Sequence, residues 1–211
     1  MRGDSSEPRL VVVTVRPRTF VAILSRLREL SLPYKIPESL PYECGSGEVV
    51  IYDDARAYRG PCKAVEARGP SETERAVISA LLALRDKEAF DEVLVGVDVG
   101  EKRHAVAVLA DGILLYSFKE EAARLAQRLA EALRGVPRSR LKIKVGYKPA
   151  KSEAALSLSV EISKACGTSV ALVDESSTSR ALRLRAREGM DPDIVAARFI
   201  ALREDYLESL G

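Results

Sequence analysis

The sequence is short of the residues that most often advertise local chemistry. It has no tryptophan, one histidine, two methionines and three cysteines among 211 residues. Cys44, Cys62 and Cys166 form no CxxC pair and have no histidine at ligand spacing, which excludes a structural zinc site of the usual kind. Cys166 precedes Gly167 and reads as a core residue, while Cys44 and Cys62 are left open as a pair. No run of about 18 uncharged apolar residues occurs, so a membrane-spanning helix is not expected. Met1-Arg2-Gly3-Asp4 leads straight into charge rather than an apolar signal segment, and the expectation is a soluble cytoplasmic protein. Apolar residues make up 46% and charged residues 30%, enough for a real core and a wet surface, which excludes a disordered or fibrous chain. Scarce methionine and plentiful Arg and Glu are in keeping with heat adaptation.

Charge of either sign is not in excess: 33 basic residues face 31 acidic ones, a net of +2. The distribution is less even. Seven bases and no acid lie between Arg134 and Lys151, namely Arg134, Arg138, Arg140, Lys142, Lys144, Lys148 and Lys151. Arg180, Arg183, Arg185 and Arg187 form a second cluster. Such runs are either solvated faces or phosphate-binding surfaces.

Two domains are expected, 1–90 and 91–211. The first opens with the β-run Leu10–Val15, followed by a helical pattern through Phe20, Ile23, Leu24, Leu27 and Leu30. Pro33, Pro37 and Pro41 force an irregular stretch. Val49–Tyr52 and the segment around Lys63–Glu66 read as strands, and Ser71 with Glu74 as a capping box opening a helix to about Lys87. This small α/β unit carries no recognisable chemistry.

The second part is more explicit. Val93–Val97 is a continuous apolar run, as in a strand buried on both faces. Ala105–Ala110 and Ile113–Phe118 flank Asp111-Gly112, a strong hairpin signal. Glu120–Leu133 is helical in period, Leu141–Val145 a fourth strand, Ser152 to Gly167 a capped helix and Ser169–Val173 a fifth strand. A basic helix over about Thr178–Glu188 follows, then a last helix from Pro192 to Glu208. Three meander strands and two helical crossovers make a mixed five-stranded sheet with helices on both faces. Its first strand is central, with the fourth beside it and the fifth beyond.

Three acids stand where ligands gather in open α/β sheets. Asp98 directly follows the central strand, Glu175 lies just past the fifth, and Asp193 is in the first turn of the last helix. Singly, each also fits a turn former or a helix cap. Converging carboxylates repel unless a cation lies between them, and oxygen-only ligation suits Mg²⁺ or Mn²⁺. Paired ions about 3.5–4 Å apart activate water in phosphodiester hydrolysis.

These residues carry a family resemblance. Val95-Gly96-Val97-Asp98-Val99-Gly100-Glu101-Lys102-Arg103 resembles the opening motif of the YqgF/RuvX family, RuvC-like proteins of the ribonuclease-H-like fold. Leu172-Val173-Asp174-Glu175-Ser176-Ser177-Thr178 is similar to its D-E-R-x-[ST]-T segment, and Asp193-Ile194-Val195-Ala196-Ala197 to its closing D-x-x-A-A helix. Order and spacing agree across about 91–208. Ser176 replaces the family's Arg, Ala105 its Gly, and Lys148 stands near where RuvC and ribonuclease H enzymes place a carboxylate. The resemblance implies a ribonuclease-H-like fold and a divalent-metal nuclease acting on Holliday-junction-like DNA or ribosomal-RNA precursor. Its catalytic and metal-binding acids would be Asp98, Glu175 and Asp193.

Structured DNA or RNA is then the expected partner, with no membrane, and a homodimer stays open. Lys102 and Arg103 at the rim of the site, with Arg138, Arg140, Lys148, Lys151, Arg180 and Arg183, would contact phosphates. His104 reads as a surface histidine at a strand edge rather than a proton carrier. The alternative is a non-catalytic nucleic-acid- or protein-binding module that keeps the ribonuclease-H-like fold. An ATP-binding domain of the actin and sugar-kinase type is weaker, because the D-x-G turn lacks a hydroxyl residue and no second D-x-G follows a later strand.

Overall fold

The computed structural model describes residues 9–174, 191–204 and 208–210. The chain divides into two compact units, Met1–Glu88 and Ala89–Gly211. Among the described residues no helix is long and apolar enough to cross a membrane.

The first unit contains β1 (Leu10–Val13), α1 (Pro17–Glu29), β2 (Tyr42–Glu43), β3 (Val49–Tyr52), β4 (Tyr58–Arg59), β5 (Lys63–Glu66) and α2 (Thr73–Ala83). β1, β3 and β5 form a parallel sheet in that order. Pro17 starts α1, where its missing N–H costs nothing. The buried Asp53 carboxylate accepts from the backbone N–H groups of Val15 at 2.8 Å and Arg16 at 2.9 Å, fixing the turn into α1. Cys44 and Cys62 are joined by a disulfide beside the cluster of Val11, Val13, Val50 and Ala57. Ser71 does not cap α2. It lies in a 3₁₀ turn, Pro70–Glu72, and the helix starts at Thr73 with no side-chain cap.

The second unit contains β6 (Phe90–Asp98), β7 (His104–Ala110), β8 (Ile113–Glu120), α3 (Ala122–Arg134), β9 (Arg138–Tyr147), α4 (Ser152–Cys166), β10 (Val170–Asp174), α5 (Pro192–Leu202) and β11 (Glu208–Leu210). The expected five strands form one mixed sheet with β6 central, β9 and β10 parallel to it on one side, and on the other β7 antiparallel to β6 and β8 antiparallel to β7. A sixth strand, β11, runs antiparallel at the β10 edge; its three residues gave no strand signal. Asp111 and Gly112 both take positive φ, as a two-residue hairpin requires. Gly167 ends α4 in the left-handed conformation. Ser152 is the first residue of α4 and makes no capping hydrogen bond, and Cys166 is only half-buried.

All seven residues of β7 are buried, so both faces of the sheet are covered there. On one face Ala197 and Ala201 of α5 join Ala105, Ala107 and Leu109 in a core cluster. This approach depends on Gly96 of β6. A Cβ there would lie 2.0 Å from the Ala197 carbonyl oxygen and 2.5 Å from the Ala201 nitrogen. The backbone of α5 thus rests directly on that of β6.

Gly96→Ala should force α5 off the sheet and destabilise the protein by about 3 kcal/mol, the upper part of the range for overpacking. Chemical denaturation checks this, and an unchanged midpoint would contradict the seat described.

Candidate active site

β6 ends at Asp98, half-buried and paired in register with Ala105, which pairs in turn with Lys119 of β8. Partners across a sheet project to the same side, so Asp98, Ala105 and Lys119 form a row on one face. That is the α5 face, since Ala105 belongs to the cluster with Ala197. Asp193 lies one turn before Ala197 on the same stripe of α5. Asp98 and Asp193 therefore meet the same end of the same face.

Lys119, at the β8 end of that row, reaches Asp193. Its ammonium donates to Asp193 Oδ2 at 2.5 Å and pairs with Asp191 Oδ2 at 2.8 Å. Asp191 is also the N-cap of α5, accepting from the Asp193 N–H through Oδ1 at 3.0 Å. The bonds to Asp191 and then Asp193 hold the Lys119 pKa above its ordinary value, and Lys119 draws that of Asp191 down. Sequence reasoning missed both Lys119 and Asp191. Lys119 is one base on an amphipathic strand, and only register shows that it lies two strands from Asp98. The N-cap position of Asp191 before Pro192 was a signal that could have been read.

The loop from β6 to β7 is closed by Gly100, where a Cβ would lie 2.0 Å from the Arg103 carbonyl oxygen. Lys102 and Arg103 are exposed on it, and Arg103 donates to the Lys119 carbonyl at 2.5 Å. Lys151 donates to the Val99 carbonyl at 2.5 Å and borders a cleft of about 610 Å³ with Gly100, Glu101 and Ser152. Lys148, half-buried, follows β9 at this same end.

Arg138 and Arg140 are elsewhere. They pair with Phe90 and Glu92 at the start of β6, roughly 20–25 Å along the strand from Asp98 at about 3.3 Å per residue. Arg138 donates to the Leu133 and Val136 carbonyls at 2.5 and 2.8 Å, closing the end of α3, whereas Arg140 is exposed. Lys144, counted in the basic run, is buried and donates to the carbonyls of Ala201 and Arg203 at the end of α5. Burial, then the neighbouring Lys142, pushes its pKa down. The basic run is thus not one surface.

His104 also departs from expectation. It is 6% exposed, not a surface residue. It precedes Ala105 on β7 and so points to the face opposite Asp98. Burial, then Lys151, lowers its pKa.

Glu175, Arg180, Arg183 and the basic helix expected over 178–188 lie outside the described residues. Asp174, just before Glu175, ends β10, and its carbonyl accepts from Arg203. Among the described residues no group of three His, Cys, Asp or Glu side chains could hold a metal ion. Asp98 and Asp193 themselves suit a hard divalent cation, being oxygen donors on one face, with the Lys119 ammonium already on one of them.

No protein-family model matches the chain, and no curated protein matches it. Among solved structures it is similar to T. thermophilus RuvC in complex with a Holliday junction substrate. Identity there is 18%, over 52% of this chain and 90% of that one, with a TM-score of 0.39. A further Thermus thermophilus RuvC structure gives 17% identity over 55% and 83%, with a TM-score of 0.33.

His104 yields a pH prediction. A histidine whose folded pKa is depressed stabilises above its unfolded value, and that contribution is lost as pH falls below about 6.5. Between pH 7.5 and 5.5 the melting temperature should fall more in wild type than in His104→Gln. Equal falls would show that His104 is not held neutral.

Proposed function

We propose that the second unit is a ribonuclease-H-like, YqgF/RuvX-type nuclease domain acting on structured nucleic acid, Holliday-junction-like DNA or ribosomal-RNA precursor. The observation that carries this reading is the placing of Asp98 and Asp193 at one end of one sheet face. The acids come from a central strand and the last helix, the positions their motifs imply. Asp98, Glu175 and Asp193 would hold Mg²⁺ or Mn²⁺. Such an ion, when bound, polarises the phosphodiester and lowers the pKa of a bound water.

The chain's own residues supply the rest. Gly96 seats α5 low on the sheet through Ala197 and Ala201, and the first turn of α5 brings Asp193 to Lys119 on the face that carries Asp98. Gly100 turns the exposed Lys102 and Arg103 to the rim, where cations orient a phosphate backbone without reading sequence. Lys148 and Lys151 border the same end. Arg180 and Arg183 belong to the proposed contact set by sequence alone. Arg138 and Arg140 would touch only a nucleic acid long enough to reach the far end of the sheet. Glu120, whose carboxyl pKa is lowered by Arg128 and then by its bond from the Glu121 N–H, steadies the strand end beside Lys119.

A second reading is favoured by Lys119, which already neutralises Asp193. With that ion pair kept, the domain binds nucleic acid and does not cut it.

Mn²⁺-dependent cleavage of branched DNA or structured RNA by the full chain is expected to be weak and to fall by orders of magnitude in Asp98→Asn and in Glu175→Gln. Cleavage equal in wild type and both variants would mark a contaminant. Binding without cleavage in all three would select the second reading.

Affinity should fall steeply with salt, by a slope of about 0.9 per phosphate contact on duplex DNA. Replacing Lys102 and Lys148 together by Ala should reduce that slope for a short junction, and Arg140→Ala should not. Reversed effects would move the interface to the far end of the sheet.

A further inference from the structure

We propose that Lys119 is a resident counter-ion of the carboxylate site, and that a divalent cation enters by displacing its ammonium from Asp193. This deepens the metal-site reading above and rests on it.

The contact is built by the fold rather than by neighbouring sequence. β8 register sets Lys119 in the row of Asp98, and the seat of α5 on Gly96 delivers Asp191 and Asp193 to it. One ammonium serves two carboxylates, at 2.5 Å for Asp193 and 2.8 Å for Asp191. Charge-assisted bonds of this length are strong. A divalent ion at Asp193 would face that ammonium across a few ångströms, and like charges so close repel.

The two carboxylates are not equivalent. Asp191 Oδ1 is committed to capping α5, which fixes Asp191 in place. Its Oδ2 remains a seat for the ammonium when Asp193 turns to a metal. The Lys119 side chain is 28% exposed, and those of Asp191 and Asp193 are 44% and 52% exposed, so the pair can open without unfolding its surroundings. Lys119 thus stands in for part of the missing positive charge while no ion is bound and weakens the ion's hold when it arrives.

The test is Mn²⁺ binding to the full chain, followed by electron paramagnetic resonance of free Mn²⁺. Lys119→Met should bind Mn²⁺ about tenfold more tightly than wild type, since the ion no longer competes with an ammonium. Lys119→Arg, which keeps the charge, should not bind more tightly. Asp191→Asn, still able to cap the helix, should bind Mn²⁺ more weakly, because the displaced ammonium has lost its second seat. A lysine that merely held the fold would give weaker binding on removal. If wild type binds Mn²⁺ and Lys119→Met binds it no better, the counter-ion proposal falls and the metal site stands. If neither wild type nor Lys119→Met binds Mn²⁺ at millimolar concentration, the metal reading falls and takes this proposal with it. A crystal structure of wild type soaked in Mn²⁺ needs no variant. Lys119 Nζ should leave Asp193 and stay within 4 Å of Asp191, and an ion bound beside an intact Lys119–Asp193 pair would overturn the proposal.

Discussion

The second unit is organised around the contact between two backbones, that of α5 and that of β6 at Gly96. A side chain of any size at that position would meet the Ala197 carbonyl. Small residues on both sides, Ala197 and Ala201 against Ala105 and Ala107, keep the helix low on the sheet. Dispersion energy falls quickly with separation, so a low helix is a firmly held one. Both of its ends are then tied by cations. Lys119 meets the acids of its first turn, and Lys144 meets the carbonyls at its end. The acids at the amino end and the base at the carboxyl end have the signs that complement the helix dipole.

The same seating explains why two ordinary acids become a candidate site. Asp98 ends a strand and Asp193 begins a helix, places that acids occupy in many proteins for local reasons. What distinguishes them is that one face of one strand end receives both. Like charges brought together need compensation. The Lys119 ammonium provides it on the Asp193 side.

Much of this was legible in the sequence where local rules dominate. Asp111-Gly112 can close only one kind of hairpin, and Gly167 ends a helix for want of a Cβ clash. The strand order followed from element order, because crossovers are right-handed and short. Reading failed where a residue's surroundings come from distant chain. Lys144 looked like one of seven surface bases, yet it pairs with Gly96 and lies under the end of α5. His104 looked like an edge residue beside Asp98, but strand alternation turns it to the other face, where it is buried. Ser71 had the composition of a cap, and the 3₁₀ turn at Pro70 moved the helix start past it. The Asp98 and Asp193 motifs were visible in sequence, whereas the cation paired with Asp193 was not, since register alone places it in the row of Asp98.

The position of α5 in the chain carries a consequence for how the unit is made. Gly96 and the helix that covers it are separated by roughly a hundred residues, a loop whose closure entropy must be met before the contact is gained. The apolar row of Ala105, Ala107 and Leu109 therefore stays bare on a growing chain until Leu202 has been synthesised. During that interval the half-built sheet offers an uncovered greasy face and, at β10, an unpaired edge, the two features that make nascent intermediates stick to one another.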